Sequence, residues 1–218
     1  MALPRLDAVL GVLEGVVAEA VLDLGCGDGS ITMLLAKRVG ARRVYGVDLD
    51  EGALAEAFKR GLNVFKADLS KDPLPLPDES VDLVLALEVI EHLMNPDHML
   101  REIRRVLRRG GSLVVSTPNL ASWVNRVALL LGYQPYNAEV STEIVAGVPW
   151  RARTFSKPSG HVRPFTLRAL KELLQYHGFT VVKVRGAPGV EPKELAFLDG
   201  LLSRIPSLAR RIIVLARK

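Results

Sequence analysis

The fold of this chain is decided by the stretch VLDLGCGDGS, residues 21–30, in which an apolar run ends in glycines at alternate positions. Gly25, Gly27 and Gly29 leave the backbone bare, and the acid Asp23 lies just ahead of them. Glycine reaches backbone conformations that other residues avoid, and it lets a ligand approach the main chain closely. The stretch therefore predicts a strand, a ligand-binding turn and a helix in direct succession.

The spacing of these glycines separates two kinds of ligand. A dinucleotide site requires Gly-x-Gly-x-x-Gly, with a pyrophosphate at the helix N-terminus, whereas here Ser30 takes the place of the third glycine. Asp23 and Asp28 would also repel a diphosphate. The Gly-x-Gly-x-Gly loop instead suits a ligand that carries an ammonium or sulfonium charge and no diphosphate. An NAD(P)-dependent oxidoreductase is the weaker alternative.

Strands and helices alternate along the rest of the chain. Helical segments close at Gly40 and Gly61, and another begins at Asn95-Pro96 and is expected to run to Gly110-Gly111. Apolar strands separate them, namely EAVLDLG, RRVYGVDL, NVFKADL, VDLVLALEV and SLVVSTPN. This alternation predicts an α/β fold with a Rossmann-like, doubly wound, mostly parallel seven-stranded sheet. The last two strands lack a comparable helical crossover, so one C-terminal strand is expected to run antiparallel.

Length and composition favour a single domain over residues 1–218. A chain of 218 residues that is 49% hydrophobic can bury one sizeable core. Residues 120–165 break the alternation and are expected to form a lid or substrate-binding insertion. Aromatic residues there argue against disorder and favour a small, partly apolar acceptor enclosed away from water. They are Tyr133, Tyr136, Trp150, Phe155 and Phe165.

Cysteine content and the length of the apolar runs predict a soluble, cytoplasmic protein. Cys26 is the one cysteine, so the chain cannot form an internal disulfide or a Cys-based zinc site, and a reducing compartment is indicated. The N-terminal segment carries charges at helical spacing and indicates an amphipathic helix rather than a signal peptide. No apolar run reaches the roughly 20 residues of a membrane span. Scarce lysine and two glutamines indicate a thermophilic source.

The net charge of +5 leaves two interpretations of the basic residues open. They form either a solvated helix face, which we favour, or the footprint of RNA or another anionic partner. The oligomeric state is expected to be a monomer or a homodimer. The helix after Asn95 is expected to carry Arg101, Arg104, Arg105, Arg108 and Arg109, and the C-terminus carries Arg204, Arg210, Arg211, Arg217 and Lys218.

Asp48, Asp68 and Glu88 each follow one of three successive strands, and their carboxylates are expected to meet at one edge of the sheet. Ligands in such sheets bind beyond the carboxyl ends of the strands. Asp48 is placed to accept the hydroxyls of a ribose, and Asp68 is placed to accept an adenine amino group. Leu49 and Leu69 are available to sandwich the adenine ring. The glycine loop and these carboxylates together suit a ligand made of adenosine and an amino-acid tail.

With these residues in view, the chain resembles the class I S-adenosylmethionine-dependent methyltransferases over nearly its whole length. The resemblance implies that Asp23, Gly25, Cys26 and Gly27 line the methionine moiety of S-adenosylmethionine, with Glu88 also at the cofactor. At the position before Gly110-Gly111, the family often has proline, whereas this chain has Arg109. We expect this difference to alter only the turn. The matching segments are VLDLGCGDGS, VYGVDLDEGAL, KADL, VDLVLALEVIEHL, REIRRVLRRGGSLVVSTPN and GHVRPFTLRALKELLQYHGF.

Candidate catalytic groups follow the fourth strand in the string EVIEH. An oxygen or nitrogen acceptor needs a base, for which Glu91, His92 and the distant His161 are the candidates, and either histidine could instead simply line the pocket. The spacing resembles the ubiquinone-pathway O-methyltransferases and the small-RNA 3′-terminal 2′-O-methyltransferases, in which such residues hold a divalent metal. Glu88, Glu91, His92 and His161 are therefore also candidate ligands of Mg²⁺, Mn²⁺ or Zn²⁺. A purely structural role of the string stays open.

The expected function is methyl transfer from S-adenosylmethionine to a small-molecule acceptor at oxygen. No Asn/Asp-Pro-Pro-aromatic string follows the fourth strand, which disfavours methylation of adenine or of a glutamine amide. One alternative is a metal-assisted RNA ribose 2′-O-methyltransferase. The other is an S-adenosylmethionine-binding protein without catalysis, which the candidate bases count against.

Overall fold

A computed structural model describes residues 4–149, 156–189 and 195–218 as seven strands and seven α-helices. The strands are β1 Ala20–Leu24, β2 Arg43–Asp48, β3 Asn63–Lys66, β4 Val81–Leu87, β5 Leu107–Pro118, β6 Thr180–Ala187 and β7 Arg211–Arg217. The helices are α1 Pro4–Val12, α2 Ser30–Val39, α3 Glu51–Lys59, α4 Pro96–Val106, α5 Trp123–Leu130, α6 Leu167–Tyr176 and α7 Ala196–Leu202. A 3₁₀ turn, Ile90–His92, follows β4.

The strands form one sheet in the order β3-β2-β1-β4-β5-β7-β6. The pairings from β3 to β5 are parallel, and β7 is antiparallel to both β5 and β6. The predicted α/β sheet with one antiparallel C-terminal strand is therefore confirmed. The order reverses beside β1, where ligands bind in open sheets of this kind, so the glycine loop after β1 lies at the switch point.

Apolar residues of the central strands are buried on both faces of the sheet. All five residues of β1 are buried, as expected for a parallel strand covered by helices on each side. Leu22 and Leu24 pack in one core cluster with β5 and α4, whereas Val21 packs on the other face with α1 and α2. Because side chains alternate along a strand, Asp23 faces the same side as Val21, towards α2.

The boundary between α4 and β5 differs from the prediction. The helix ends at Val106 instead of reaching Gly110-Gly111, because Leu107 already pairs with Val81 of β4. The predicted helical positions of Arg108 and Arg109 are therefore wrong, and both residues belong to β5. The pairing of β4 with β5 is irregular here, and the turn carries Gly110 at a φ of 74°.

Within the described parts of the chain, no helix is long and apolar enough to cross a bilayer.

Candidate functional site

The glycine loop uses its three glycines in different ways. All three have positive φ values, 70° at Gly25, 53° at Gly27 and 76° at Gly29, which L-residues rarely adopt. A Cβ at Gly25 would lie 2.5 Å from Val89 Cγ2, and one at Gly29 would lie 3.0 Å from Leu62 Cδ1. A Cβ at Gly27 would meet no atom within 4 Å. Gly27 therefore presents bare backbone to open space that a ligand can enter.

Asp48, at the end of β2, holds the glycine loop in position through hydrogen bonds. Its Oδ2 accepts a hydrogen bond from the Gly27 amide at 2.8 Å, and its Oδ1 accepts from the Leu49 and Asp50 amides at 2.7 and 3.1 Å. A carboxylate has about four lone-pair sites, so three of them are already used. The sequence predicted that both oxygens serve a ribose. The three hydrogen bonds leave Asp48 fewer lone pairs for ribose hydroxyls. They give Asp48 a second role, which is to hold the glycine loop in position.

An open cavity of about 740 Å³ lies beside the glycine loop, and we call it the loop cavity. The predicted residues Leu49 and Leu69 both line it, with further apolar surface from the segment after β4. Its lining residues include Gly25, Asp48, Leu49, Asp68, Leu69, Glu88, His92, Leu93 and Met94. The residues predicted for the adenosine part of a cofactor are thus brought together.

Asp68 stands in the loop cavity as an ionised carboxylate. Its Oδ1 accepts from the Ser70 amide at 2.9 Å, and Lys71 Nζ lies 3.4 Å from its Oδ2. The Ser70 amide, opposed by some desolvation, is the main reason that the pKa of Asp68 is lowered. An acceptor of this kind suits an amino group on an aromatic ring.

Asp23 and Cys26 lie behind the glycine loop, with their side chains outside the loop cavity. Asp23 is 4% exposed, and its Oδ2 accepts a 2.5 Å hydrogen bond from Thr32 Oγ1 of α2. Burial raises the pKa of Asp23 to about 7 against the lowering effect of the Thr32 hydroxyl. Cys26 packs among Leu54, Leu62 and other apolar residues. The side chains of both residues support the loop from beneath.

Glu88, the residue after β4, occupies an unusual backbone conformation at the edge of the loop cavity. Its φ of 59° is one of two positive values among the described non-glycine residues. Such a conformation costs about 1–3 kcal/mol and concentrates at functional sites. Ser116 Oγ donates to Oε1 at 2.8 Å, and Arg211 Nε donates to Oε2 at 2.8 Å. The conformation directs Glu88 towards the start of β7.

Three of the four predicted metal ligands lie together. Glu91, His92 and His161 each offer a ligand atom within 4.8 Å of the others, and the two imidazole centroids are 5.0 Å apart. Glu88 lies outside this group, because its oxygens are engaged by Ser116 and Arg211. The structure thus unites the string after β4 with a histidine that is distant in sequence.

Glu91 is the most deeply buried member of that group. It is 1% exposed, and neither carboxylate oxygen has a hydrogen-bond partner among the described residues. Burial, with repulsion from Glu88, raises the pKa of Glu91 to about 8. The nearby Thr117 hydroxyl does not reach hydrogen-bond geometry and offsets this rise only in part. A buried carboxyl without a partner is costly, which marks the position as a candidate binding or proton-transfer site.

The two histidines differ in their surroundings. Nδ1 of His92 lies 3.0 Å from the Gly160 carbonyl, which can only accept, so Nδ1 carries the hydrogen and Nε2 is the acceptor in the neutral ring. Nδ1 of His161 lies 3.8 Å from Glu139 Oε1 and has no hydrogen-bond partner among the described residues. Burial lowers the pKa of His161, so its imidazole is neutral at physiological pH.

A second cavity, of about 410 Å³, lies between α5, residues 136–145 and 156–161, and the start of β7, and we call it the insertion cavity. Among its lining residues are Ser122, Asn125, Tyr136, Asn137, Glu139, His161, Arg210 and Arg211. Glu88 and His92 line the loop cavity, while Arg211 and His161 line the insertion cavity. The hydrogen-bonded pair Glu88–Arg211 and the adjacent imidazoles therefore mark where the two cavities meet.

The lining of the insertion cavity differs from the partly apolar pocket that the aromatic residues indicated. Tyr136 lines the cavity, but Phe165 packs in the core and Tyr133 is exposed to solvent. Trp150 and Phe155 lie outside the described residues. Most of the described lining is polar or charged.

Sequence reasoning named His161 and Tyr136 but missed several polar residues that build this second cavity. Asn125 lies in α5, Asn137 and Glu139 follow that helix, and only their spatial contacts identify them. A signal did exist for Arg211. An antiparallel strand begins at the edge where its parallel neighbours end, so the first residue of β7 must lie at the ligand-binding edge.

Comparison with known proteins agrees with this geometry. A family model described as a methyltransferase domain matches residues 22–115. A probable S-adenosylmethionine-dependent methyltransferase of Mycobacterium tuberculosis is 47% identical over 104 residues, which are 47% of this chain and 36% of that protein. A ubiquinone biosynthesis O-methyltransferase of Pseudomonas fluorescens is 35% identical over 111 residues, covering 48% of this chain and 47% of that protein.

The matched region spans less than half the length of these curated relatives. Among solved structures, an S-adenosylmethionine-dependent methyltransferase of Thermotoga maritima superimposes with a TM-score of 0.65 at 23% identity, covering 98% of this chain and 89% of that chain. That likeness shows the fold. Residues 22–115 are thus similar to methyltransferase domains, and the strand order and glycine loop give the chain the fold of the class I S-adenosylmethionine-dependent methyltransferases.

Proposed function

We propose that this chain transfers the methyl group of S-adenosylmethionine, bound in the loop cavity, to an oxygen of a small molecule bound in the insertion cavity. One observation carries the proposal, namely that the two cavities meet at Glu88–Arg211 and at His92–His161. Such a junction holds donor and acceptor in contact, as a direct transfer requires. We further propose that residues 1–218 act as one methyltransferase domain in which residues 120–165 form the acceptor-binding insertion.

Residues in and beside the loop cavity suit each part of the cofactor. Bare backbone at Gly27 suits the amino-acid tail, the remaining capacity of Asp48 suits a ribose hydroxyl, and Asp68 suits the adenine amino group. Leu49 and Leu69 supply apolar surface for the ring. When bound, S-adenosylmethionine supplies an activated methyl group on a sulfonium sulfur. The residues of the chain contribute chiefly by positioning the acceptor, because positioning can supply a large share of the rate of such a displacement.

A neutral imidazole at the junction suits transfer to oxygen, which must lose a proton. His161 lines the insertion cavity, and burial keeps its imidazole uncharged. It can therefore take the proton of an acceptor hydroxyl, with the Nε2 of His92 as the second candidate base. The O-methyltransferase named among the relatives supports oxygen as the target.

The position of the basic residues of α4 and the start of β5 favours a small acceptor over RNA. Arg101, Arg104, Arg105 and Arg109 surround a depression with Lys218, next to Asp78 and Glu79. This depression lies where β5 begins and β7 ends, at the opposite edge of the sheet from the two cavities. Arginines at that edge cannot guide an RNA strand into the junction.

A metal-assisted form of the reaction is the second candidate, and the unpartnered carboxylate of Glu91 is the observation that favours it. Glu91, His92 and His161 would hold the ion, and the ion would supply a positive charge beside the acceptor oxygen. Two imidazoles with one carboxylate suit Zn²⁺ better than Mg²⁺, which prefers oxygen ligands. Calorimetric titration of ZnCl₂ and MgCl₂ should give zinc heat in the wild type and none in Glu91→Gln. Equal heat in the two proteins rules this candidate out.

Binding of S-adenosylhomocysteine tests the main proposal. We expect calorimetry to show micromolar binding to the wild type and a loss of about tenfold in Asp68→Ala, because the adenine acceptor is removed. Glu51→Ala is the matched control, since this exposed acid is ion-paired to Lys66 and lies outside the cavity lining. Absence of binding to the wild type, or equal losses in the two variants, contradicts the proposal.

A further inference from the structure

We infer that the acceptor carries an anionic group with two or more oxygens, a carboxylate or a phosphate, held by Arg211 and Asn137 in the insertion cavity. This inference rests on the proposed function, in that the ligand of this cavity is taken to be the methyl acceptor. It follows from three features of the cavity: a guanidinium with free donors, a buried amide with a free donor, and a lining in which the carboxylates are already paired.

Arg211 offers most of its donors to the cavity. Its Nε is bound to Glu88 Oε2 at 2.8 Å, and its terminal nitrogens have no hydrogen-bond partner among the described residues. The side chain is 31% exposed and lines the cavity. A guanidinium carries five N–H groups in a rigid fork that matches a pair of anionic oxygens, and Glu88 uses only one of them. Glu88 also holds the fork in orientation.

Asn137 presents a buried donor without an acceptor. The residue is 7% exposed and lines the cavity, and its Nδ2 has no hydrogen-bond partner in the described part of the chain. Its Oδ1 accepts a 2.5 Å hydrogen bond from Asn125 Nδ2. An unpaired buried donor is unfavourable, so the site is complete only when a ligand or a water accepts from it.

The orientation of the Asn137 amide is fixed by its neighbours. Asn125 Oδ1 accepts from the Tyr136 amide at 3.2 Å, and Asn125 Nδ2 also donates to the Asn119 carbonyl at 3.1 Å. Turning the Asn125 amide over would break both bonds, so Asn125 must donate to Asn137. Asn137 must therefore accept with its oxygen, which leaves its buried NH₂ group without a partner among the described residues.

The carboxylates in and beside the lining already have hydrogen-bond donors. Glu139 accepts from the backbone amides of Ser159, Gly160 and His161 at 2.7, 2.8 and 2.9 Å. The Asp199 carboxylate, close to the cavity wall, is bound to Arg210 Nε at 3.0 Å and to Trp123 Nε1. With Lys157 also in the lining, donors and positive charges exceed free acceptors. A ligand that brings anionic oxygens satisfies this excess, and a neutral ligand does not.

The test measures binding of matched probes to the protein saturated with S-adenosylhomocysteine. The probes are 4-hydroxybenzoate, 4-hydroxybenzamide and 4-hydroxyphenyl phosphate, which differ in charge and in the shape of the anionic group. We expect thermal stabilisation at millimolar concentration by at least one anion and none by the amide. The carboxylate and phosphate arms distinguish the two sources of the anionic oxygens.

Two variants assign the effect to the named residues. Arg211→Gln removes the fork, and Asn137→Asp keeps the bond from Asn125 while replacing the donor with a negative oxygen. Each should weaken anion binding about tenfold or more, whereas Arg204→Gln, the loss of an exposed arginine outside the cavity lining, should leave it unchanged. Arg211→Gln and Asn137→Asp should both retain S-adenosylhomocysteine binding, and that binding also shows that the two variants are folded.

The outcomes separate this inference from the proposed function. Failure of the wild type to bind S-adenosylhomocysteine removes the proposed function itself. If that ligand binds but neither anion stabilises the protein more than the amide does, the inference of an anionic acceptor is wrong. Anion binding that survives in both Arg211→Gln and Asn137→Asp overturns the assignment to this cavity.

Discussion

At the scale of single residues, a buried acid beneath the glycine loop links the stability of the fold to pH. Asp23 faces α2 because alternate side chains of β1 point to opposite faces of the sheet. Burial raises its pKa from an ordinary value of 3.8 to about 7, and the charge of Asp48 contributes to the rise. The folded protein therefore holds a proton on Asp23 under conditions in which the unfolded chain has released it.

The free energy of unfolding should consequently fall as the pH rises from about 4 to about 7, because the folded state binds more protons than the unfolded state in this window. Above that window the loss, on the order of a few kcal/mol, is complete. Asp23→Asn should show a flatter profile over the same range, measured by guanidinium unfolding. The raised pKa of Glu91 acts in the same direction and leaves a residual slope. Identical profiles for the wild type and Asp23→Asn would show that Asp23 is ionised in the fold.

A second prediction at this scale separates backbone strain from ligand contact. Gly27 and Gly40 have φ values of 53° and 78°, and a Cβ at either would meet no atom within 4 Å. Replacing either with alanine should cost about 1–2 kcal/mol of stability through the left-handed backbone. Only Gly27→Ala should also weaken binding of S-adenosylhomocysteine in calorimetry, since Gly40 caps α2 away from the loop. Equal affinity of the two variants would mean that the ligand does not lie against Gly27.

At the scale of secondary-structure elements, an arginine of α4 holds the loop that carries part of the wall of the loop cavity. Arg105 donates from its terminal nitrogens to the Leu74 and Leu76 carbonyls, each at 2.8 Å. It also pairs with Glu102 and Asp78. The same loop begins at Asp68, so the basic face of α4 serves in part to fix the cavity wall.

Arg105→Ala should therefore destabilise the protein by about 1–3 kcal/mol, because two carbonyls lose their donor. It should also weaken S-adenosylhomocysteine binding, although Arg105 lies outside the cavity lining. Arg101→Ala removes an exposed charge from the same helix and should change neither quantity. Denaturant unfolding and calorimetry on both variants test the prediction, and unchanged affinity in Arg105→Ala would show that the loop keeps its shape without this anchor.

At the scale of the whole molecule, the sequence predicted which residues meet at the loop cavity but not which residues meet at the insertion cavity. Asp48, Asp68 and Glu88 follow strands, and the carboxyl ends of parallel strands meet at one edge, so local patterns suffice to bring them together. The insertion cavity depends on contacts across long sequence separations, such as Asn125 with Asn137 and Arg211 with Glu88. Periodicity carries no information about such contacts.

The extent of β5 could not be predicted for a related reason. A run rich in arginine and leucine favours a helix locally, but the pairing of Leu107 with Val81 ends α4 at Val106. The antiparallel course of β7 was predictable from the missing crossover, and it brings Arg211 to the site. The fold thus follows largely from local patterns, and the insertion cavity follows from tertiary contacts.

The central claim is that a methyl donor and its acceptor occupy two cavities that meet at the Glu88–Arg211 and His92–His161 pairs. A crystal structure of the protein with S-adenosylhomocysteine tests this claim most directly. The account predicts the adenine between Leu49 and Leu69, the amino-acid tail against Gly27, and the sulfur facing the opening into the insertion cavity. A ligand bound elsewhere, or one whose sulfur faces away from the two histidines, would contradict it.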